Sequence, residues 1–154
     1  MKTEALIAKL KETGCTVATA ESCTGGGIGH RLTAVSGSSA VYMGGIISYT
    51  NDVKEKVLNV PSEILREHGA VSAPTAKAMA EGVRRLLNSD FGVSVTGLAG
   101  PTGDGSGKPV GLVYIGIAQS RQTDVQEYLF SGSREEVREQ AIQAAIELLL
   151  NTVK

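Results

Sequence analysis

The stretch TVATAESCTGGGIGHRL, residues 16 to 32, sets a carboxylate, a hydroxyl, a thiol and a second hydroxyl on consecutive positions, Glu21 to Thr24, directly before three glycines. Such a run can serve acyl transfer. Ser22 or Cys23 would supply a nucleophile, and Gly25 and Gly26 at a helix start would let a ligand approach backbone N–H groups able to hold an oxyanion. The bland alternative is a tight turn in which Ser22 or Thr24 only caps the next helix. A thiol is intrinsically the stronger nucleophile, yet a lone intracellular cysteine more often serves as a small buried hydrophobe. Neighbours in an extended segment face opposite ways, so Ser22 and Cys23 are not expected to face one substrate together. Spacing does not choose between them.

A serine nucleophile needs a base. His30 and His68 lie far apart in the chain and show neither triad support nor metal-ligand spacing. Lysine can take the role when burial or neighbouring positive charge lowers its pKa. The segment SYTNDVK offers Tyr49 at the end of an expected strand and Lys54 about one turn into the following helix, both able to lean over one sheet edge. A solvated lysine and a rim tyrosine are the plain alternative. A third polar group, Ser94-Val-Thr96-Gly97-Leu-Ala-Gly100-Pro101, runs from a strand into a glycine-rich loop, a place that often carries binding residues. Lys108 beyond that loop, and Arg134 and Arg138 early in the last helix, are candidates for anion contacts or ordinary surface charges.

Familiar nucleotide and hydrolase signatures fail. Thr102 and Pro109 stand where a phosphate-binding G-x-x-x-x-G-K-[ST] loop needs glycine and a hydroxyl, and Gly25 to His30 lacks the last glycine of the dinucleotide fingerprint. Neither G-x-S-x-G nor S-x-x-K occurs.

The elements that must position these residues alternate. Thr3 can cap a first helix ending at Gly14, followed by a strand over 16–21 and a helix over about 26–34. A strand over 41–49 is weakened by Gly44 and Gly45, and short helices follow over 52–58 and 62–68. Ser72-Ala-Pro-Thr opens a longer helix with Ala76, Met79, Val83 and Leu86 expected on one face and charges on the other. Strands are expected over 91–98, 110–118 and 122–130, the last two antiparallel because the turn between them is too short for a crossover. Ser133-x-x-Glu136 is a capping box for the final helix. The pattern predicts a single α/β domain, a three-layer α/β/α sandwich around a mixed, mostly parallel sheet.

With 154 residues, 42% hydrophobic and 20% charged, the chain has room for one core and is neither disordered nor membrane-spanning in composition. A net charge of −1 and six aromatic residues give no basic, stacking face for nucleic acid. Cys15 and Cys23 make no disulfide framework. The amphipathic start, with Leu6 and Leu10 among charges, does not read as a signal peptide, so a cytoplasmic protein is expected.

Taken together and in order, ATAESCTGGGIGHRLTAVSGSSAVYMGGIISYTNDVK, HGAVS, VSVTGLAGPTG, KPVG and FSGSREEVREQA resemble the C-terminal domain of the CinA (competence/damage-inducible) family over nearly the whole chain. The resemblance implies a three-layer α/β/α domain, usually a homodimer. In stand-alone form it implies an amidohydrolase that converts nicotinamide mononucleotide and water to nicotinate mononucleotide and ammonia, in pyridine-nucleotide recycling. The family's catalytic serine falls on Ser22, and its tyrosine and lysine fall on Tyr49 and Lys54. Its binding-loop threonine and glycines fall on Thr96, Gly97 and Gly100, and an arginine of its last-helix motif on Arg138. Cys23, Thr24, Gly25 and Gly26 would meet the substrate around the turn. No metal, cofactor, nucleic acid or membrane is implied. The N-terminal domain often fused in this family has no counterpart in the sequence, so no activity belonging to it is expected. The competing reading is a non-catalytic nucleotide-binding sensor or assembly module, because fold and pocket survive loss of chemistry. The presence of Ser22, Tyr49 and Lys54 together favours the enzyme.

Overall fold

Hydrophobic alternation in the strands sends successive side chains to two separate cores. In the computed structural model, which describes residues 1–154, β1 (Val17–Glu21) is buried at every position. Val17 joins a cluster of 22 buried residues, while Ala18 and Ala20 join a smaller one on the opposite face. This is the period-two signature of a strand covered on both sides.

The larger cluster is roofed by α1 (Lys2–Thr13), α2 (Gly27–Thr33) and α6 (Arg134–Thr152). The smaller lies beneath α3 (Asn51–Leu58), α4 (Ser62–His68) and α5 (Ala73–Leu87). Three layers result, as expected. The strands β2 (Tyr42–Ile47), β3 (Phe91–Gly97), β4 (Leu112–Ala118) and β5 (Thr123–Leu129) complete a sheet of order β2-β1-β3-β4-β5. β1 runs parallel to β2 and β3, whereas β4 is antiparallel to β3 and β5. Four of the five strands therefore run in one direction and β4 alone runs against them, the mixed, mostly parallel sheet expected. Residues 98 to 111 hold no crossover helix, and a parallel return to the sheet needs one.

Local chemistry explains most boundaries. The Ser133 hydroxyl accepts from Glu136 N–H while the Glu136 carboxylate accepts from Ser133 N–H, the reciprocal pair that opens α6. Ser72 Oγ accepts from Thr75 N–H at 3.3 Å and starts α5. The first helix begins at Lys2, so Thr3 lies inside it and does not cap it. α5 sits close to the sheet because Gly92 leaves no room for a Cβ beneath the Ala80 carbonyl, and Ser94 Oγ donates to the Ala76 carbonyl at 2.6 Å.

The order of strands locates a crevice. The connection from β1 through α2 to β2 covers one face, and the connection from β2 through α3, α4 and α5 to β3 covers the other. The chain therefore departs from the carboxyl end of β1 at a topological switch point, where open α/β sheets bind ligands.

Candidate active site

Parallel pairing sets the first distance. Ser48 N–H donates to the Glu21 carbonyl at 2.8 Å, extending the β1–β2 ladder one step beyond β2. Ser22 N–H donates across to the Val95 carbonyl of β3 at 3.0 Å. The ends of three parallel strands are thus tied side by side. Thr50 caps α3 by accepting from Val53 N–H at 3.3 Å, which starts the helix so that Lys54 falls in its first turn.

The Lys54 side chain folds back from there to the crevice. Its Nζ lies 3.1 Å from Ser22 Oγ and donates to the carbonyls of Ser48 at 2.8 Å and Tyr49 at 3.3 Å. Lys54 is 1% exposed and joins none of the chain's salt bridges. Burial pulls its pKa down to about 8, opposed by the nearby Cys23 thiol. An uncharged amine beside a serine hydroxyl is an arrangement able to take a proton at near-neutral pH.

Both Ser22 and Cys23 line the same cleft, of about 280 Å³. The expectation that only one could do so fails because β1 ends at Glu21, and strand alternation does not govern the turn beyond it. Their chemistry differs instead. Cys23 is 6% exposed, and burial pushes its thiol up to about 11, so little thiolate forms at neutral pH.

Tyr49 and Thr96 to Gly100 also line the cleft, with Ala70 and Val71 before α5. The Tyr49 phenol is exposed and accepts from Arg134 Nη2 at 3.2 Å; only the Tyr49 carbonyl meets Lys54. Thr96 Oγ1 donates to the Ala70 carbonyl at 2.7 Å, fixing one wall. Gly97 is required by packing, since a Cβ there would come within 2.8 Å of the Leu112 carbonyl. Gly100 turns the chain at φ 84°, in the left-handed region.

The other expected contacts lie elsewhere. Arg138 does not reach the cleft: its Nε donates to the Cys23 carbonyl at 2.9 Å and its Nη2 to the Thr24 carbonyl at 3.3 Å, clamping the turn from behind. Arg134, one helical turn earlier, lines the cleft and donates to the Gly100 carbonyl at 2.6 Å. Thr24 is fully buried, its hydroxyl donating to Glu21 Oε1 at 2.6 Å. Gly25 N–H is taken by the Ser22 carbonyl at 3.1 Å, and Gly26 faces a separate groove beside β2. The N–H groups of Cys23, Thr24 and Gly26 make no hydrogen bond to another residue.

Glu21 is the residue that motif reading missed. It is 2% exposed, and its carboxylate accepts from Ile28 N–H at 2.8 Å, Gly29 N–H at 3.0 Å and the Thr24 hydroxyl. It caps α2 from inside, so the first turn of that helix offers these donors to its own chain and not to a ligand. The available signal was a lone acid closing an otherwise small, apolar strand. No three His, Cys, Asp or Glu side chains gather closely enough to hold a metal ion, and no helix is long and apolar enough to cross a membrane.

Comparisons with known proteins agree on one family. The model of the CinA C-terminal domain matches residues 1–153. A CinA-like protein of a Sulfurihydrogenibium species is 49% identical over 150 residues, covering 97% of this chain and 38% of its own length. A CinA-like protein of a Synechococcus species is 56% identical over 113 residues, 73% of this chain and 27% of its own. The chain thus spans about a third of the length of the curated relatives it matches. Among solved structures, a CinA superfamily protein from Klebsiella pneumoniae superposes with a TM-score of 0.96 at 32% identity, covering 99% of this chain and 95% of that one. The competence/damage inducible protein CihA from Agrobacterium tumefaciens gives 0.92 at 40% identity, with 98% and 96% covered. A fold matched along its whole length, together with a sequence that aligns from its first residue to its last but one, establishes that this chain belongs to the CinA C-terminal domain family.

Proposed function

We propose that this protein is a nicotinamide-nucleotide amidase, cleaving the carboxamide of nicotinamide mononucleotide to give nicotinate mononucleotide and ammonia. The observation that carries the reading is the 3.1 Å approach of the Lys54 amine to the Ser22 hydroxyl inside a cleft at the switch point of the sheet. The family resemblance supplies the substrate class.

In this reading the neutral Lys54 amine takes the Ser22 proton as Oγ attacks the carboxamide carbon. The pyridinium ring withdraws electrons from that carbon and favours attack. The unbonded N–H of Cys23 stabilises the negative oxygen. Lys54, now an ammonium, returns the proton to the amide nitrogen, the C–N bond breaks and ammonia leaves. A water then attacks the Ser22 ester, Lys54 taking its proton and handing it to Oγ as the carboxylate product departs. Lys54 acts directly, since the Tyr49 phenol is held by Arg134 and not by the amine. Arg134 faces the cleft and is the cation suited to the substrate phosphate; Arg138 is committed to the turn.

The reading extends to a cytoplasmic homodimer. The exposed apolar side chains Met43, Ile47 and Tyr49 along the β2 edge support self-association there. Light scattering of purified protein measures the mass, and a monomer at micromolar concentration removes this part. The reaction itself is tested by ammonia release from nicotinamide mononucleotide in the presence of chelator. Steady release supports the enzyme. Binding without ammonia favours the non-catalytic module, and a strict metal requirement refutes the mechanism.

A further inference from the structure

Far from the Ser22 cleft, one stripe of α5 faces a groove whose two halves have opposite character. Ala73, Pro74, Lys77, Ala78, Glu81, Arg84 and Arg85 recur at helical spacing. Their stretch of helix is about 18 Å long. The half nearer the helix start is a cavity of about 530 Å³ walled by Pro74, Ala78, Ile64 of α4 and Val125 of β5. The half nearer the helix end is a cavity of about 240 Å³ with no hydrophobic lining residue, where Lys77, Arg84, Arg85 and Arg121 of the β4–β5 turn converge. Lys77 and Glu81 line both halves and join them into one groove.

The charge balance there is unusual for a chain of net charge −1. None of the four cations belongs to a salt bridge. The single acid in the basic half, Glu81, already accepts from Thr123 Oγ1 at 2.7 Å. Asp124, the nearest other acid in sequence, accepts from Gln122 and does not line the cavity. Arg84 and Arg85 lie in the last turn of α5, where cations complement the helix dipole. That account does not extend to Lys77 or to Arg121, which belongs to another element. Four cations against the one Glu81 carboxylate leave the basic half with an excess of positive charge, and an anion seated among them offsets the repulsion.

We infer that the groove between α5 and the β4–β5 hairpin is a second binding site, for a nucleoside carrying two or more phosphates, with the flat base against Pro74, Ile64 and Val125 and the phosphates among Arg84, Arg85 and Arg121. The apolar half accepts an aromatic ring, and the basic half is too small for a duplex backbone and too highly charged for a single weak anion. The site is independent of the amidase reading. The β4–β5 turn lies beside the start of β3, where Gly92 pairs with Ala118, whereas the Ser22 cleft opens at the end of that strand. The two are separated by about 20 Å of strand.

The test is calorimetric titration of adenosine diphosphate into the purified chain, with pyrophosphate and adenosine titrated separately. Saturable one-to-one binding is expected, weakening as salt rises. Adenosine diphosphate should bind more tightly than either fragment. The double variant Arg85→Ala/Arg121→Ala, at two exposed positions, should lose tenfold or more in affinity with an unchanged melting temperature. Arg134→Ala should leave the affinity as it was. Absence of saturable heat overturns the inference, as does an unchanged affinity in the double variant. Loss of binding in Arg134→Ala instead places the nucleotide in the Ser22 cleft and overturns it too. Pyrophosphate binding as tightly as adenosine diphosphate removes the nucleoside half of the assignment.

Discussion

The Lys54 Nζ and the Ser48 carbonyl oxygen stand 2.8 Å apart, joined by a side chain that doubles back over its own N-cap. With the Tyr49 carbonyl they occupy two of the positions around the nitrogen, and the third is directed at Ser22. A neutral amine has two N–H groups and one lone pair, so this surrounding fits the unprotonated form without rearrangement. Activity should therefore rise with pH and level off above an apparent pKa near 8, with about a tenth of the plateau rate at pH 7. A pH profile of kcat/KM that is flat from 6 to 9, on the order of three pH units, removes Lys54 as the base.

The same depressed pKa sets a stability trend. Because folding lowers the Lys54 pKa from 10.5 to about 8, the unfolded chain holds more protons between those values, and stability rises with pH across that window. The cost is present in full below pH 8. Lys54→Met should abolish ammonia release yet raise the urea midpoint at pH 7, with the gain shrinking towards pH 10.5. A lower midpoint at pH 7 would mean that the amine's three hydrogen bonds outweigh its burial.

Ser22 and Cys23 are separable by substitution. Ser22→Ala should reduce turnover by about a thousandfold or more, with the melting temperature preserved. Cys23→Ala should keep activity within a few-fold, because its thiol is protonated at neutral pH and serves the core. Mass spectrometry of protein quenched during turnover should find the acyl group on the Ser22 peptide. Its attachment to Cys23 would reverse the assignment.

The two arginines of α6 should fail differently. Arg134→Ala removes a cation facing the cleft and should raise KM about tenfold with a smaller change in kcat. Arg138→Ala frees the Cys23 and Thr24 carbonyls and should lower kcat with little change in KM. Steady-state kinetics on both variants decide the matter, and the opposite split exchanges their roles.

Gly82 offers a test of packing against propensity. Alanine in a helix interior ordinarily gains about 1 kcal/mol over glycine. Here a Cβ would strike the Leu58 carbonyl at the end of α3, which is backbone and cannot swing aside. Gly82→Ala should therefore destabilise by about 2 kcal/mol, measured by urea denaturation. A stabilised variant would mean that α3 moves freely relative to α5.

Much of this arrangement was legible in the chain itself, and the exceptions have physical causes. Local signals are sound where one turn decides the outcome: the Ser133–Glu136 box, the Ser72 cap and the glycine after α1 all act over a few residues. The direction of β4 follows from the lack of a helix between 98 and 111, a nonlocal consequence that helix–strand alternation hides. Ser22 and Lys54 could be named as a pair, since parallel neighbours end at one edge, but their separation depends on the Ser48–Glu21 step of the ladder. Arg134 and Arg138 differ by one turn of helix and by nothing in composition. Which of them faces the cleft is fixed by how α6 is rotated through Val137, Ala141 and Ala145 against the core. Glu21 was hidden for the opposite reason, because its partners are main-chain groups that every residue possesses.

The inward cap formed by Glu21 has a further effect on any guest with unlike ends. With the positive pole of α2 already matched from within, the turn at Ser22 keeps only its free N–H groups as short-range donors and adds no helix-dipole attraction for a distant anion. A molecule bearing a negative tail is drawn to the Arg134 side and leaves its opposite end at the hydroxyl. Folding thus sorts head from tail before any bond is broken.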